Sequence, residues 1–73
     1  MRLIRQLLAA ARQRLEDAAR EVRIRNLAAA EQAEFRAGRV GLAVEAWMAL
    51  VAEINARSPQ QIARMERRLG LRK

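Results

Sequence analysis

Apolar side chains recur along the first part of the chain at alternating spacings of four and three residues. The positions in this stripe are Ile4, Leu8, Ala11, Leu15, Ala18 and Val22. That spacing places them on one face of an α-helix, and no Pro or Gly interrupts residues 2–37. The pattern therefore predicts a long first helix, about residues 2–37, with an apolar stripe that needs a partner helix.

The stripe loses its phase after Val22, because apolar residues reappear out of step at Ile24 and Leu27. Two interpretations stay open. Either one long helix changes neighbours midway, or Asn26 caps a new helix by accepting a hydrogen bond from a free backbone N–H. The good helix formers that dominate this segment favour one long helix.

Two glycines, Gly38 and Gly41, give the first interruption. Each Gly costs about 1 kcal/mol relative to Ala inside a helix, so a turn is predicted near residues 37–39. The alternative is an unbroken helix in which the two glycines let another helix approach closely.

A second helix is predicted over about residues 40–56, and it is apolar almost all round. One face carries Val40, Val44, Trp47, Val51 and Ile54, and Ala43, Met48 and Leu50 widen it. A single neighbouring helix is too narrow to cover such a face. We therefore expect this helix to lie between other helices of the same chain or of a second copy. Trp47 is then either a core residue or an anchor for a partner.

The start of a third helix, about residues 59–69, is marked by three residues. Ser58 is a typical N-cap, Pro59 suits the first helical position, and Gln61 is placed to complete a capping box. Gly70 follows as a C-terminal cap residue, and residues 70–73 form a basic tail. The predicted fold class is all-α: a small three-helix domain, residues 1–73, with a long first helix, completed by self-association.

The balance of charge is strongly basic, with 15 Lys and Arg, 8 Asp and Glu, and a net charge of +7. Such an excess favours an anionic partner, although an Arg- and Ala-rich composition is also what a GC-rich genome produces. The cations concentrate at both ends, since residues 27–56 carry two Arg and four acids. The candidates for anionic contact are Arg64, Arg67, Arg68, Arg72 and Lys73.

The chemistry open to the chain is limited, because it has no Cys and no His. Nucleophilic Cys catalysis, His acid–base catalysis and tetrahedral metal ligation are therefore excluded. The carboxylates close enough for paired acid–base work are Glu16, Asp17 and Glu21, or Glu31 and Glu34. Most of them have an Arg four residues on, as in Glu16 with Arg20 and Glu21 with Arg25, which is the ordinary arrangement of a solvated helix surface. We expect no catalytic residue, no cofactor and no metal.

Two functions fit these constraints. The first is a protein-interaction module, such as an adaptor, an inhibitor or a structural subunit, that binds an acidic surface of a larger protein. The alternative is a nucleic-acid-binding protein that makes sequence-nonspecific phosphate contacts to DNA or RNA through Arg-rich helix faces. Because a small core without disulfide or metal is marginal, we also expect a homo-oligomer. The candidate residues for partner binding or oligomer packing are Ile4, Leu8, Leu15, Val22, Val44, Trp47, Met48, Val51 and Ile54.

The apolar segments are short for membrane insertion or export. The longest, residues 40–54, falls short of the ~20 residues that cross a bilayer, and the run at residues 7–11 is too short for a signal-peptide core. We therefore expect a cytoplasmic protein. Binding to a membrane surface by the first helix is not favoured, because Glu16, Asp17 and Glu21 interrupt its basic character.

Overall fold

The structure is a computed structural model that describes residues 1–70, and it is all-helical over that range. Helix α1 spans Arg2–Arg36, α2 spans Val40–Asn55 and α3 spans Pro59–Arg68. The predicted all-α class and the three helices are confirmed. Because α1 is continuous, Asn26 does not cap a separate helix. None of the helices in residues 1–70 is long and apolar enough to cross a membrane.

The turn between α1 and α2 depends on Gly38, whose φ is 79°. This left-handed residue lets the N–H groups of Gly38 and Arg39 donate to the carbonyls of Phe35 and Glu34, at 3.1 and 2.9 Å, which is the Schellman ending of a helix. The Arg39 side chain also pairs with the Glu34 carboxylate. A Cβ added at Gly38 or Gly41 would meet nothing within 4 Å. The predicted turn is therefore confirmed, and the alternative of a close helix approach is wrong.

One face of α1 packs against the rest of the chain, and it is not the apolar stripe. Its residues have reduced exposure at helical spacing: Gln13, Asp17, Glu21, Ile24, Ala28 and Glu31. At ~100° per residue, this face lies roughly opposite the stripe of Ile4 to Val22. Along this face α1 does change neighbours, because α3 bonds to Asp17 and Glu21, whereas α2 lies beside Arg23, Glu31 and Phe35. The expected change of neighbours is therefore found, but on a face other than the stripe, which is largely exposed.

The contact between α1 and α2 uses small side chains. Ile24 and Ala43 are the two buried hydrophobic residues within the described range, and Ala46 and Leu50 are half-buried beside Ala43 on α2. Most of the larger apolar residues of α2 are exposed: Val40, Leu42, Val44, Trp47, Met48 and Ile54. Trp47 is 53% exposed, so its interpretation as a core residue is wrong within one chain.

The solvent-accessible surface area of the chain is larger than that of a compact monomer of the same size. The accessible surface is 6128 Å², whereas a compact monomer of 8.3 kDa exposes roughly 4,600 Å². The radius of gyration, 16.0 Å, likewise exceeds the roughly 11 Å of a compact domain of 73 residues. About 1,500 Å² of surface per chain is therefore in excess.

Polar side chains attach α3 to α1. The buried Gln61 donates from Nε2 to the Asp17 carbonyl at 3.2 Å and to Glu21 Oε2 at 2.5 Å. Arg64 donates to the Asp17 carboxylate, and Arg57 makes two hydrogen bonds of 2.8 Å to Glu21. Two acids of α1 thus receive three side chains from α3 and the turn before it.

The start of α3 has the predicted Ser58 N-cap but not the predicted capping box. Ser58 Oγ accepts a hydrogen bond from Gln61 N at 3.0 Å, with Pro59 in the first helical turn. The Gln61 side chain does not complete a capping box, because its Oε1, the atom that would accept from Ser58 N–H, has no hydrogen-bond partner within the described residues. The expected pairing of Glu21 with Arg25 is also wrong, because Glu21 accepts from Arg57.

Asp17 is the central acceptor of this contact. Burial raises the pKa of its carboxyl, but the hydrogen bonds from Gln13, at 2.9 Å, and Arg64, with the charges of Arg64 and Arg20, outweigh that effect. The pKa of Asp17 therefore lies below its ordinary value of 3.8. The carboxylate is charged at neutral pH, as its cationic partners require.

Replacement of Gly38 by Ala should lower the free energy of unfolding by about 1 kcal/mol, because a Cβ is disfavoured at a left-handed residue. Gly41→Ala is the matched control in the first turn of α2, and it should be neutral or stabilising by up to about 0.5 kcal/mol. Urea unfolding followed by far-ultraviolet circular dichroism measures both. Equal losses in the two variants would contradict the role of Gly38.

Acidification should weaken the attachment of α3. Because the folded-state pKa of Asp17 is lowered from 3.8, its contribution to stability is present above that pH and is lost as the pH falls through the lower folded value. The urea midpoint of the wild type should therefore fall more steeply below pH about 4 than that of Asp17→Asn.

The control for this experiment is Glu16→Gln, which neutralises an exposed carboxyl next to Asp17. Its midpoint should follow the wild-type curve at every pH. Glu34, whose pKa is lowered by its hydrogen bond from Arg39, is present in all three proteins and contributes equally. An Asp17→Asn curve as steep as that of the wild type would show that Asp17 does not govern the attachment.

Candidate binding groove

A groove lies between α1 and α3. It consists of two adjoining depressions that share Ala18, Glu21 and Arg68. The other residues that line it are Arg14, Asp17, Val22 and Arg25 from α1, and Gln61, Arg64 and Met65 from α3. The groove therefore combines charged and apolar groups from two helices that only the fold brings together.

The charge of the groove is positive because its acids are already engaged. Asp17 and Glu21 hold α3 through the contacts described above. Arg14, Arg25 and Arg68 are exposed, and within residues 1–70 none of the three forms a hydrogen bond or an ion pair through its side chain. Three guanidinium groups at the groove are thus free to donate to an anion.

The residues predicted for anionic contact differ in whether their guanidinium groups are free in the structure. Arg68 lines the groove, whereas the Arg64 guanidinium is engaged with Asp17. Arg67 is exposed and donates from Nε to the Ala63 carbonyl of its own helix at 3.4 Å. Arg72 and Lys73 lie outside the described residues.

Arg14 and Arg25 did not emerge from the sequence as members of this site. They are eleven positions apart on α1, and Arg68 comes to lie near both only because α3 docks on α1. The only sequence signal was their position on either side of Asp17 and Glu21. That signal could not be used without knowing which helix docks on those two acids.

The predicted apolar contact residues fall on two exposed surfaces. On α1, the stripe residues Ile4, Leu8, Leu15 and Val22 are 46–72% exposed. On α2, Val44, Trp47, Met48 and Ile54 are exposed and Val51 is half-buried. The structure thus places these residues outside the small α1–α2 contact, where they are accessible to another chain.

The second of these surfaces includes a shallow apolar groove between α1 and α2. Glu31, Phe35, Val40, Ala43, Val44 and Trp47 line it. It lies towards the α1–α2 turn, whereas the basic groove lies at the crossing of α1 and α3. Residues 1–70 therefore keep a basic groove apart from an apolar one.

The basic groove combines hydrogen-bond donors with apolar side chains. Guanidinium groups donate to carboxylate or phosphate oxygens, and Ala18, Val22 and Met65 add an apolar lining to the basic groove. No group of three or more acidic residues in the described range is arranged to hold a metal ion. Comparison of the chain with family models, curated proteins and solved structures finds no match.

Proposed function

We propose that the protein is a non-enzymatic interaction module that self-associates and binds an acidic surface of a larger protein as an adaptor, inhibitor or structural subunit. The observation that carries this proposal is the set of three unpaired arginines, Arg14, Arg25 and Arg68, beside an apolar lining. An acidic protein surface offers carboxylates for the arginines and apolar side chains for the lining.

The composition of the groove favours a protein partner over a nucleic acid. A phosphate backbone would use the arginines but would gain little from contact with Val22 and Met65. The two aromatic residues, Phe35 and Trp47, line the other groove, so they are not placed to stack on bases beside the arginines. Nonspecific binding to DNA or RNA is accordingly the competing outcome in the experiment below.

The use of the carboxylates supports a role without catalysis. Asp17 and Glu21 are the acids that line the groove, and both accept hydrogen bonds from cationic or amide groups that hold α3 in place. A general acid or base must exchange its proton with a substrate. Carboxylates that are held by such hydrogen bonds stabilise the fold instead.

The excess surface supports self-association. Two chains that each buried the excess of roughly 1,500 Å² would form an interface of roughly 3,000 Å² in total, within the range of obligate homodimers. The exposed stripe of α1 and the apolar surface of α2 supply suitable side chains. Association would therefore add the apolar burial that the single chain lacks.

Reversal of one groove charge tests the site. Arg68→Glu should weaken binding of a labelled helical peptide, with Glu on one face and Leu on the other, by about tenfold or more, because a charge-assisted hydrogen bond becomes a repulsion. Arg36→Glu is the matched control: it makes the same change in net charge at the exposed C-terminal end of α1. Its affinity for the peptide should stay within about twofold of the wild type. Fluorescence anisotropy measures both.

A random-sequence DNA duplex, titrated from low to physiological salt, distinguishes the competing function. Our proposal predicts weaker binding to the duplex than to the peptide at physiological salt. Tight duplex binding that weakens steeply with salt, and falls equally in Arg68→Glu and Arg36→Glu, would identify nonspecific phosphate contact through total charge. That result would replace the protein-binding proposal.

A further inference from the structure

The first part of α1 forms an arm, residues 1–12, in which every residue is exposed. Hydrogen bonds and ion pairs from α2, α3 and the turn between them reach α1 at Asp17 and beyond. The arm carries Leu3, Ile4, Leu7 and Leu8, which are 55–68% exposed. It is therefore a basic amphipathic helix. Only its end approaches the rest of the chain, where Ala9 and Ala10 line a depression with Gln60 and Arg64 of α3.

A second unpartnered surface, the hairpin surface, lies on α2 and the end of α1. It consists of Phe35, Val40, Val44, Trp47, Met48 and Val51. Two acids, Glu31 and Glu45, belong to the same two helices, and neither forms an ion pair within residues 1–70. The hairpin surface is thus apolar with free negative charge nearby.

We propose that the arm of one copy lies on the hairpin surface of a second copy and the reverse, so that two chains form an intertwined dimer with two-fold symmetry. This inference rests on the self-association in the proposed function and names the surfaces that meet. Each chain contributes one arm and one hairpin surface, as an isologous interface requires.

Charge complementarity selects this pairing. The arm has three Arg and no acid, whereas residues 27–56 have four acids and two Arg. Contact between two arms would bring arginines together, and contact between two hairpin surfaces would bring acids together. Contact between an arm and a hairpin surface joins opposite charges around apolar centres.

The dimensions are consistent with the same pairing. An arm of 12 residues is roughly 18 Å long, and α2, with 16 residues, is roughly 24 Å long. One arm therefore covers most of the length of α2. Two such contacts account for much of the excess surface of the two chains, which reaches the size of a stable dimer interface.

Two single variants and their mixture test the pairing. Leu8→Glu disables the arm, and Val44→Lys disables the hairpin surface. Each variant alone should raise the dimer dissociation constant at least about 100-fold, because a charge replaces apolar contact at two symmetric places. An equimolar mixture should recover dimer, since an intact arm then meets an intact hairpin surface and the two introduced charges, opposite in sign, meet at the other contact.

Analytical ultracentrifugation measures the dissociation constants, and the fluorescence of Trp47, the one Trp of the chain, reports on the hairpin surface. Its emission should shift to the blue in the wild-type dimer and in the mixture, and to the red in each variant alone. If a single variant unfolds, circular dichroism of the mixture decides: recovered helicity supports the pairing, and none overturns it.

Other results would overturn the pairing in distinguishable ways. Loss of dimer in Leu8→Glu but not in Val44→Lys indicates contact between two arms, and the converse indicates contact between two hairpin surfaces. A wild type that stays monomeric at every concentration removes self-association itself. The Arg68→Glu and Arg36→Glu comparison tests the basic groove separately, so failure of the dimer is distinguishable from failure of the proposed partner binding.

Discussion

The attachment of α3 through the carboxylates of Asp17 and Glu21 determines how the rest of the structure is exposed. Arg57, Gln61 and Arg64 converge on these two acids of α1. A buried carboxylate left without its partners would be strongly unfavourable, so the contact fixes where α3 lies. Because hydrogen bonds have directional requirements, it also fixes which side of α3 faces α1.

As a result, few of the large apolar side chains contact one another within one chain. The side of α3 that faces α1 is polar, and α2 approaches α1 through the small residues Ala43 and Ala46. Large side chains such as Leu8, Trp47 and Met48 therefore remain in water. Since net stability is a small difference between large terms, the small apolar contact inside one chain is what motivates the proposed self-association.

The helices were predictable from local sequence, whereas their packing was not. Ser58 and Gly38 act on the backbone within a few residues, so the ends of the helices follow from neighbours in sequence. Periodicity identifies a face of a helix but not what covers it, and the stripe through Leu8 and Leu15 was thus recognised without its partner. The pairing of Glu21 with Arg57 spans 36 positions, and no local rule distinguishes it from a pairing with Arg25.

The same limit explains the basic groove. Arg68 was identified from the density of charge near the end of α3, but Arg14 and Arg25 became part of a site only where α3 crosses α1. From the sequence, Arg64 was as good a candidate for anionic contact as Arg68, but in the structure it donates to the Asp17 carboxylate. Which arginine is structural and which is free depends on the position of a single acid 47 residues away.

The two kinds of electrostatic contact in this protein should respond differently to salt. Dissolved salt screens charges that are exposed to solvent, whereas buried pairs are screened much less. Arg14, Arg25 and Arg68 are of the first kind, and the buried Asp17 carboxylate is of the second. Salt should therefore weaken the proposed binding of an acidic partner before it loosens α3, so that the groove keeps its shape while its affinity for that partner changes.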